Sequence, residues 1–168
     1  MPTYTAREQE ALDTYERLVA TRGRIEAGEL AWSVLADFFT EDAWYIDPAW
    51  GLVEGNAAIA TFMEESMAGL DDWVFPEEWR MVDGDRVVAM FQNRLPGDRD
   101  DGRPHQAPGL SILTYAGDGR FSSETDLINM VHMFEVMKAS GWMPTGPINL
   151  PPAEPIRDEP IREEPLRS

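Results

Sequence analysis

Asp47 is a candidate to move a proton. It precedes Pro48 and is surrounded by Trp44, Tyr45 and Trp50. An aspartate at the mouth of an apolar pocket loses part of its hydration, which raises its pKa and makes it a better proton acceptor near neutrality. The same Asp-Pro step also initiates turns, so a structural reading stands beside the chemical one. A base of this kind needs donors aimed at the oxygen on which charge develops. Tyr45, Tyr115 and His132 are donors of the right type, although His132 also suits the end of a helix. Polar side chains interrupt two otherwise apolar runs: Gln92, Asn93 and Arg94 in one, and Glu124, Thr125, Asp126 and Asn129 in the other. Strand alternation sets Gln92 and Arg94 on one face and Asn93 on the other. An Arg94–Asp126 pair would orient a water or a substrate oxygen, or else form a cross-strand ion pair on the outer face. Trp44, Trp50 and Phe62 offer flat apolar contacts to a ligand, with Asn93, Tyr115 and Asn129 as polar contacts.

The elements that must position these residues follow from periodicity. Leu12, Tyr15 and Val19 form a helical stripe in residues 5–25. Val34, Leu35, Phe38 and Phe39 predict a second helix, which Thr40, Glu41 and Asp42 end. Trp44, Tyr45 and Ile46 are strand-like and place Asp47 at a strand end before Pro48. Gly55 and Asn56 are suited to cap a third helix carrying Ile59, Phe62, Met63, Met67 and Leu70. From Asp71 the period shifts towards two, with turn signals at Asp83-Gly84-Asp85 and Gly117-Asp118-Gly119. Residues 73–82, 86–95, 107–116 and 120–128 are therefore expected as four antiparallel strands, with a break at Pro76 and a polar loop over 96–105. Met130, Phe134 and Met137 predict a last helix ending near Gly141. The layout is α+β: three N-terminal helices on a strongly bent antiparallel sheet that can curl around a pocket.

The totals narrow the chemistry. One domain is expected from 168 residues that are 43% apolar. A net charge of -17 opposes binding to nucleic acid or anionic lipid. The absence of cysteine removes disulfides, thiolate nucleophiles and Cys-ligated metals. Two distant histidines, His105 and His132, and a loop at Asp98–Gly102 lacking calcium-ligand spacing indicate no metal. No stretch has the roughly 20 apolar residues of a membrane span, so a soluble cytoplasmic protein without nucleic-acid or membrane partners is the expectation.

Residues 35–63 resemble the nuclear transport factor 2-like superfamily, in the branch of ketosteroid isomerases, SnoaL-like polyketide cyclases, limonene epoxide hydrolases and scytalone dehydratases. The resemblance is carried by Phe39-Thr40-Glu41-Asp42-Ala43, by Ile46-Asp47-Pro48, and by Gly55-Asn56-Ala57-Ala58-Ile59. It implies a cone-shaped α+β barrel around a deep apolar pocket, and homodimers or homotrimers. It also implies that Asp47 is the general base. The isomerases' acidic oxyanion donor falls at Ser111 here, a weaker donor, so steroid isomerisation is not expected. The cyclases and epoxide hydrolases carry a catalytic aspartate near the end of the last strand, which makes Asp126 the candidate second acid.

Residues 1–143 are expected to form the domain and 144–168 an extended tail. Its repeats E-P-I-R-D, E-P-I-R-E and E-P-L-R-S forbid helix and space Ile156, Ile161 and Leu166 evenly. The tail is either a disordered appendage or a segment that packs on a neighbouring subunit. The expected activity is cofactor-independent acid/base catalysis by a lyase, dehydratase or isomerase on a hydrophobic, aromatic or polycyclic small molecule. Asp47 would be the base, Ser111, Tyr45 or His132 the oxyanion donors, and Arg94 and Asp126 the positioning pair. Epoxide hydrolysis through an activated water and a non-catalytic binding or assembly module of the same fold are the alternatives.

Overall fold

A computed structural model describes residues 4–160. Helix α1 (Ala6–Glu26) opens with a complete capping box, in which Thr5 and Glu8 exchange side-chain and backbone hydrogen bonds. It buries Ala11, Leu12, Tyr15, Leu18 and Ile25 along the stripe expected of it. The second expected helix is a short 3-10 helix, Trp32–Phe38. Thr40, Glu41 and Asp42 do not end it; they lie within strand β1 (Phe39–Asp47). The Asn56 side chain explains the early stop, because its amide donates to the carbonyls of Ala36 at 2.6 Å and Phe39 at 3.1 Å. Asn56 thus seals the preceding turn, while Gly55, at φ 90°, occupies the N-cap of α2 (Asn56–Met67) without a side-chain bond.

Strand β2 (Gly51–Glu54) is a four-residue return that hydrogen-bonds back on β1. The remaining strands are β3 (Glu77–Asp83), β4 (Arg86–Asp98), β5 (Pro104–Gly117) and β6 (Arg120–Ile128), followed by α3 (Met130–Ser140). Strand β3 starts later than expected: Val74 makes only an isolated bridge to Arg94, and Pro76, which has no N–H to give a ladder, separates the two. Strands β4 and β5 run further than expected and reduce the 96–105 loop to its tip. The β5–β6 turn has Asp118 at φ 51° and Gly119 at φ 71°, the left-handed pair that an Asp-Gly hairpin turn requires.

The sheet order is β2-β1-β6-β5-β4-β3. It is a mixed sheet, not an antiparallel one, because β1 and β6 run parallel. Parallel neighbours need a long connection between them, and here that connection is most of the fold. Helices α1 and α2 and the 3-10 helix pack on the concave side around Phe39, Tyr45, Leu113 and Phe121. A second cluster of Trp73, Leu95, Ala107, Met133 and Val136 joins α3 to the far ends of β4 and β5. Beyond Gly141, which ends α3 in the left-handed conformation, residues 142–160 contain neither helix nor strand. The later repeat units, with Ile161, Pro165 and Leu166, lie outside the described residues. No helix among the described residues is long and apolar enough to cross a membrane.

Candidate functional site

Between the two hydrophobic clusters lies a cavity of about 400 Å³. Its apolar wall contains Trp32, Trp50, Trp73 and Trp142, Phe62, Phe75 and Phe91, and Met63, Met67, Met130, Met133 and Met137. Ser111, Glu124 and Asp126 come together with Tyr45. Strand register explains why: Ser111 of β5 pairs with Asp126 of β6, and Tyr45 of β1 pairs with Glu124 of β6. Glu124 and Asp126 are two residues apart and share the concave face.

Asp126 accepts two short hydrogen bonds, from the Tyr45 hydroxyl to Oδ2 and from the Ser111 hydroxyl to Oδ1, each at 2.5 Å. Burial raises its pKa to about 6 even though both hydroxyls pull it down. Glu124, buried beside it, is also raised, first by loss of hydration and then by the charge of Asp126; the Ser111 and Tyr45 hydroxyls and the Arg22 guanidinium oppose this. Both carboxyls are thus harder to ionise than free ones, and the charge of Asp126 makes ionisation of Glu124 harder still. Burial holds the Tyr45 phenol far above its ordinary range, which keeps it a neutral donor. Arg22, the cation in the cavity wall among the described residues, is held by Glu26 at 3.7 Å and by the Phe75 carbonyl at 3.1 Å.

Asp47 lies at the end of β1, on the same wall. Its Oδ1 accepts the backbone N–H groups of Ala49 and Trp50, both at 2.7 Å, so the Asp-Pro step does form a turn. Both bonds fall on one oxygen. Oδ2 has no hydrogen bond among the described residues. Burial raises the Asp47 pKa, against the two backbone donors and the charge of Arg157, which lower it.

The cavity therefore gathers Asp47, Tyr45, Ser111 and Asp126 with Trp50, Phe62 and Asn93. Five other expected residues lie elsewhere. Arg94 does not pair with Asp126; it sits on the opposite face of β4 from Asn93 and bonds Gln106 at 2.8 Å. Trp44 alternates with Tyr45 along β1 and does not line the cavity. Tyr115 is at the β5–β6 turn, where its hydroxyl accepts from Gly119 and Arg7 stacks 4.6 Å above its ring. Asn129 caps α3 by accepting the His132 N–H at 3.2 Å. His132 is 40% exposed, faces Glu135 at 3.5 Å and borders a separate polar cavity with His105. Sequence reasoning named Glu124 only among the polar residues of the last strand, without a role, and missed Arg22 and the methionine wall. The i, i+2 spacing of Glu124 and Asp126 on one strand was the available signal for the role of Glu124.

The profile of the SnoaL-like domain family matches residues 15–124. No curated protein matches the sequence. Among solved structures, a protein named as a SnoaL-like polyketide cyclase from Jannaschia sp. CCS1 superposes with TM-score 0.63 at 18% identity, covering 88% of this chain and 99% of its own. An epoxide hydrolase of M. tuberculosis, LEH-like, gives 0.58 at 16% identity, covering 80% and 94%. TerC, crystallised with polyporic acid, gives 0.55 at 18% identity, covering 77% and 98%. At these identities the structures share the fold, and the profile match over most of the domain decides the family: this chain belongs to the SnoaL-like family of the nuclear transport factor 2-like superfamily.

Proposed function

We propose that the protein is a cofactor-independent acid/base enzyme, a lyase, dehydratase or isomerase, that acts on an aromatic small molecule in the cavity. The observation that carries this reading is the pairing of two distinct carboxyl environments in one apolar chamber. Asp47 has one oxygen without a hydrogen bond among the described residues and a raised pKa, whereas Glu124 and Asp126 lie deeper among Tyr45 and Ser111, where burial favours the protonated carboxyl. Titratable groups with opposed tasks in one site are how a single pocket supplies both a base and an acid.

In the reaction Asp47 Oδ2 takes a proton from an activated C–H and becomes the carboxylic acid. The electron pair of that bond moves towards the substrate oxygen. In an isomerisation the protonated member of the Glu124–Asp126 pair hydrogen-bonds that oxygen while Asp47 returns its proton to another carbon of the substrate; in an elimination the electron pair passes on to form the C=C bond as the C–O bond breaks, and the protonated member gives its proton to the departing hydroxyl, which leaves as water. Tyr45 and Ser111 already donate to Asp126, so they set its position and basicity and are not free to act as oxyanion donors themselves. The tryptophan and phenylalanine wall selects a flat apolar body. The neighbour crystallised with polyporic acid supports a pocket of this type.

The test uses 2-tetralone, an aryl-fused ketone with acidic C–H bonds. Wild-type protein in D₂O should accelerate deuterium incorporation, followed by NMR, and Asp47→Asn should slow it by about 10²–10⁴-fold. Exchange at the buffer rate with wild type, or at equal rates with both proteins, would sink the proposal.

A further inference from the structure

The described part of the tail does not hang free of the chamber, and it does not need a neighbouring subunit to find a seat. Thr145 N–H donates to the Gly69 carbonyl at 2.9 Å, and its hydroxyl bonds Asp71. The Asn149 amide donates to the Glu65 carbonyl at 3.2 Å. These contacts hold residues 144–149 against the end of α2, where Pro144, Ile148 and Asn149 form part of the cavity wall. Further on, the Ile156 carbonyl accepts the Leu52 N–H at 2.6 Å, and Arg157 Nε donates to the Pro48 carbonyl at 2.7 Å. Thr125 of β6 reaches Glu159 at 3.4 Å.

The seats are shaped for this backbone. Strand β2 is the edge of the sheet, and one of its outward N–H groups is taken by Ile156. At Gly51 a Cβ would collide with the Ile156 carbonyl and lie 2.8 Å from Pro155 Cβ; at Gly69 it would lie 2.9 Å from the Gly146 carbonyl and from Ile148 Cγ2. Both glycines also have positive φ, 80° and 76°, so a side chain there is excluded twice over. Two separate close approaches on one segment are the mark of a built contact.

We propose that residues 142–159 form a strap that closes the chamber within its own chain, and that Arg157 is a positioning residue for the turn that presents Asp47. Pro48, whose carbonyl Arg157 holds, directly follows Asp47, and Ala49 and Trp50 supply the N–H donors to Asp47 Oδ1. Arg157 therefore fixes the turn from outside while its charge favours the ionised carboxylate. Tyr45 and Asp126 face Asp47 from inside, and the charge of Asp47 raises the pKa of both. The proposal gives Ile148 and Asn149 a further task, as tail residues that set which ligands fit. It rests on the acid/base reading of Asp47 for its catalytic meaning, but its test does not.

In the full-length protein, amide exchange at Leu52 should be slow, and equally slow when the protein is diluted tenfold. The Asp47 carboxyl, followed by its ¹³C shift during a pH titration, should move to a higher pKa in Arg157→Gln and return towards the wild-type value in Arg157→Lys. Leu52 exchanging as an open edge amide overturns the strap, and protection that fades on dilution overturns its placement within one chain. An Asp47 titration identical in wild type and Arg157→Gln overturns the positioning role. Failure of 2-tetralone exchange would leave all of these readouts intact and count against the enzyme alone.

Discussion

Replacing Asp126 with asparagine should change how stability depends on pH more than it changes stability itself. Asp126 titrates near 6 in the fold against 3.8 for an unperturbed aspartate, so the native state binds the proton more tightly than the unfolded chain. The sign follows: its contribution is fully present below about pH 4 and is lost as pH rises through about 6, a loss of about 3 kcal/mol. Asparagine cannot ionise and lacks this loss. It does replace one carboxylate oxygen with an N–H₂ group, which opposes the Tyr45 or the Ser111 hydroxyl and costs about 1–2 kcal/mol at every pH. The variant should therefore be less stable than wild type at pH 4 and level with it or more stable at pH 7.5. Urea unfolding of both proteins in steps from pH 4 to 8 at constant ionic strength measures the difference, and the many exposed carboxylates of this acidic chain cancel in it. Glu124 keeps a residual decline of the same sign in the variant, which Glu124→Gln combined with Asp126→Asn should flatten. Parallel stability curves for wild type and Asp126→Asn would refute the reasoning.

Three further outcomes rest on the geometry. Tyr45→Phe removes one of the two donors to Asp126 and should destabilise by about 1–3 kcal/mol at pH 7.5, with a smaller effect at pH 4.5, both read by urea unfolding. Gly109→Ala brings a methyl group to 2.7 Å from Phe91 Cζ and 3.2 Å from Asn93 Nδ2; it should cost about 1–3 kcal/mol in thermal unfolding and push Phe91 into the chamber, weakening the binding of 2-naphthol in calorimetry. Thr5→Ala dissolves the capping box of α1 and should lower stability by about 0.5–2 kcal/mol while leaving 2-naphthol affinity unchanged.

The parts of the fold that could be read from the sequence are those made by local forces. The apolar stripes of α1 and α3 and the turn chemistry at Asp83-Gly84-Asp85 and Gly117-Asp118-Gly119 lie within a few residues of what they determine. The parallel pairing of β1 with β6 has no local signature, since Tyr45 and Asp126 are 81 residues apart, and so the sheet was expected to be antiparallel. Strand β2 has four residues, too few for a period to show. The site was legible by type and less so by place. Asp47, Ser111 and Asp126 could be singled out as polar groups in apolar runs, but face and register decide which of them meet. Arg94 and Trp44 miss the chamber by one step of alternation, Asn129 because it is taken by a helix cap, and Tyr115 and His132 because they sit at other ends of the fold. Glu124 has no role assigned by residue type alone, because burial is what raises its pKa.

The parallel seam between β1 and β6 also sets the order in which the protein can become competent. A growing chain releases α1, β1, β2 and α2 early, yet β1 waits for its inner partner until the last strand has been made. Until then one side of β1 is an open edge, and closing the long loop to β6 is the slowest contact the topology demands. Asp47 and Tyr45 exist from the start on an incomplete wall, and Glu124 and Asp126 arrive only with the strand that closes the sheet. No partly folded form can bind ligand in the finished chamber, so ligand binding reports on the completion of the whole fold.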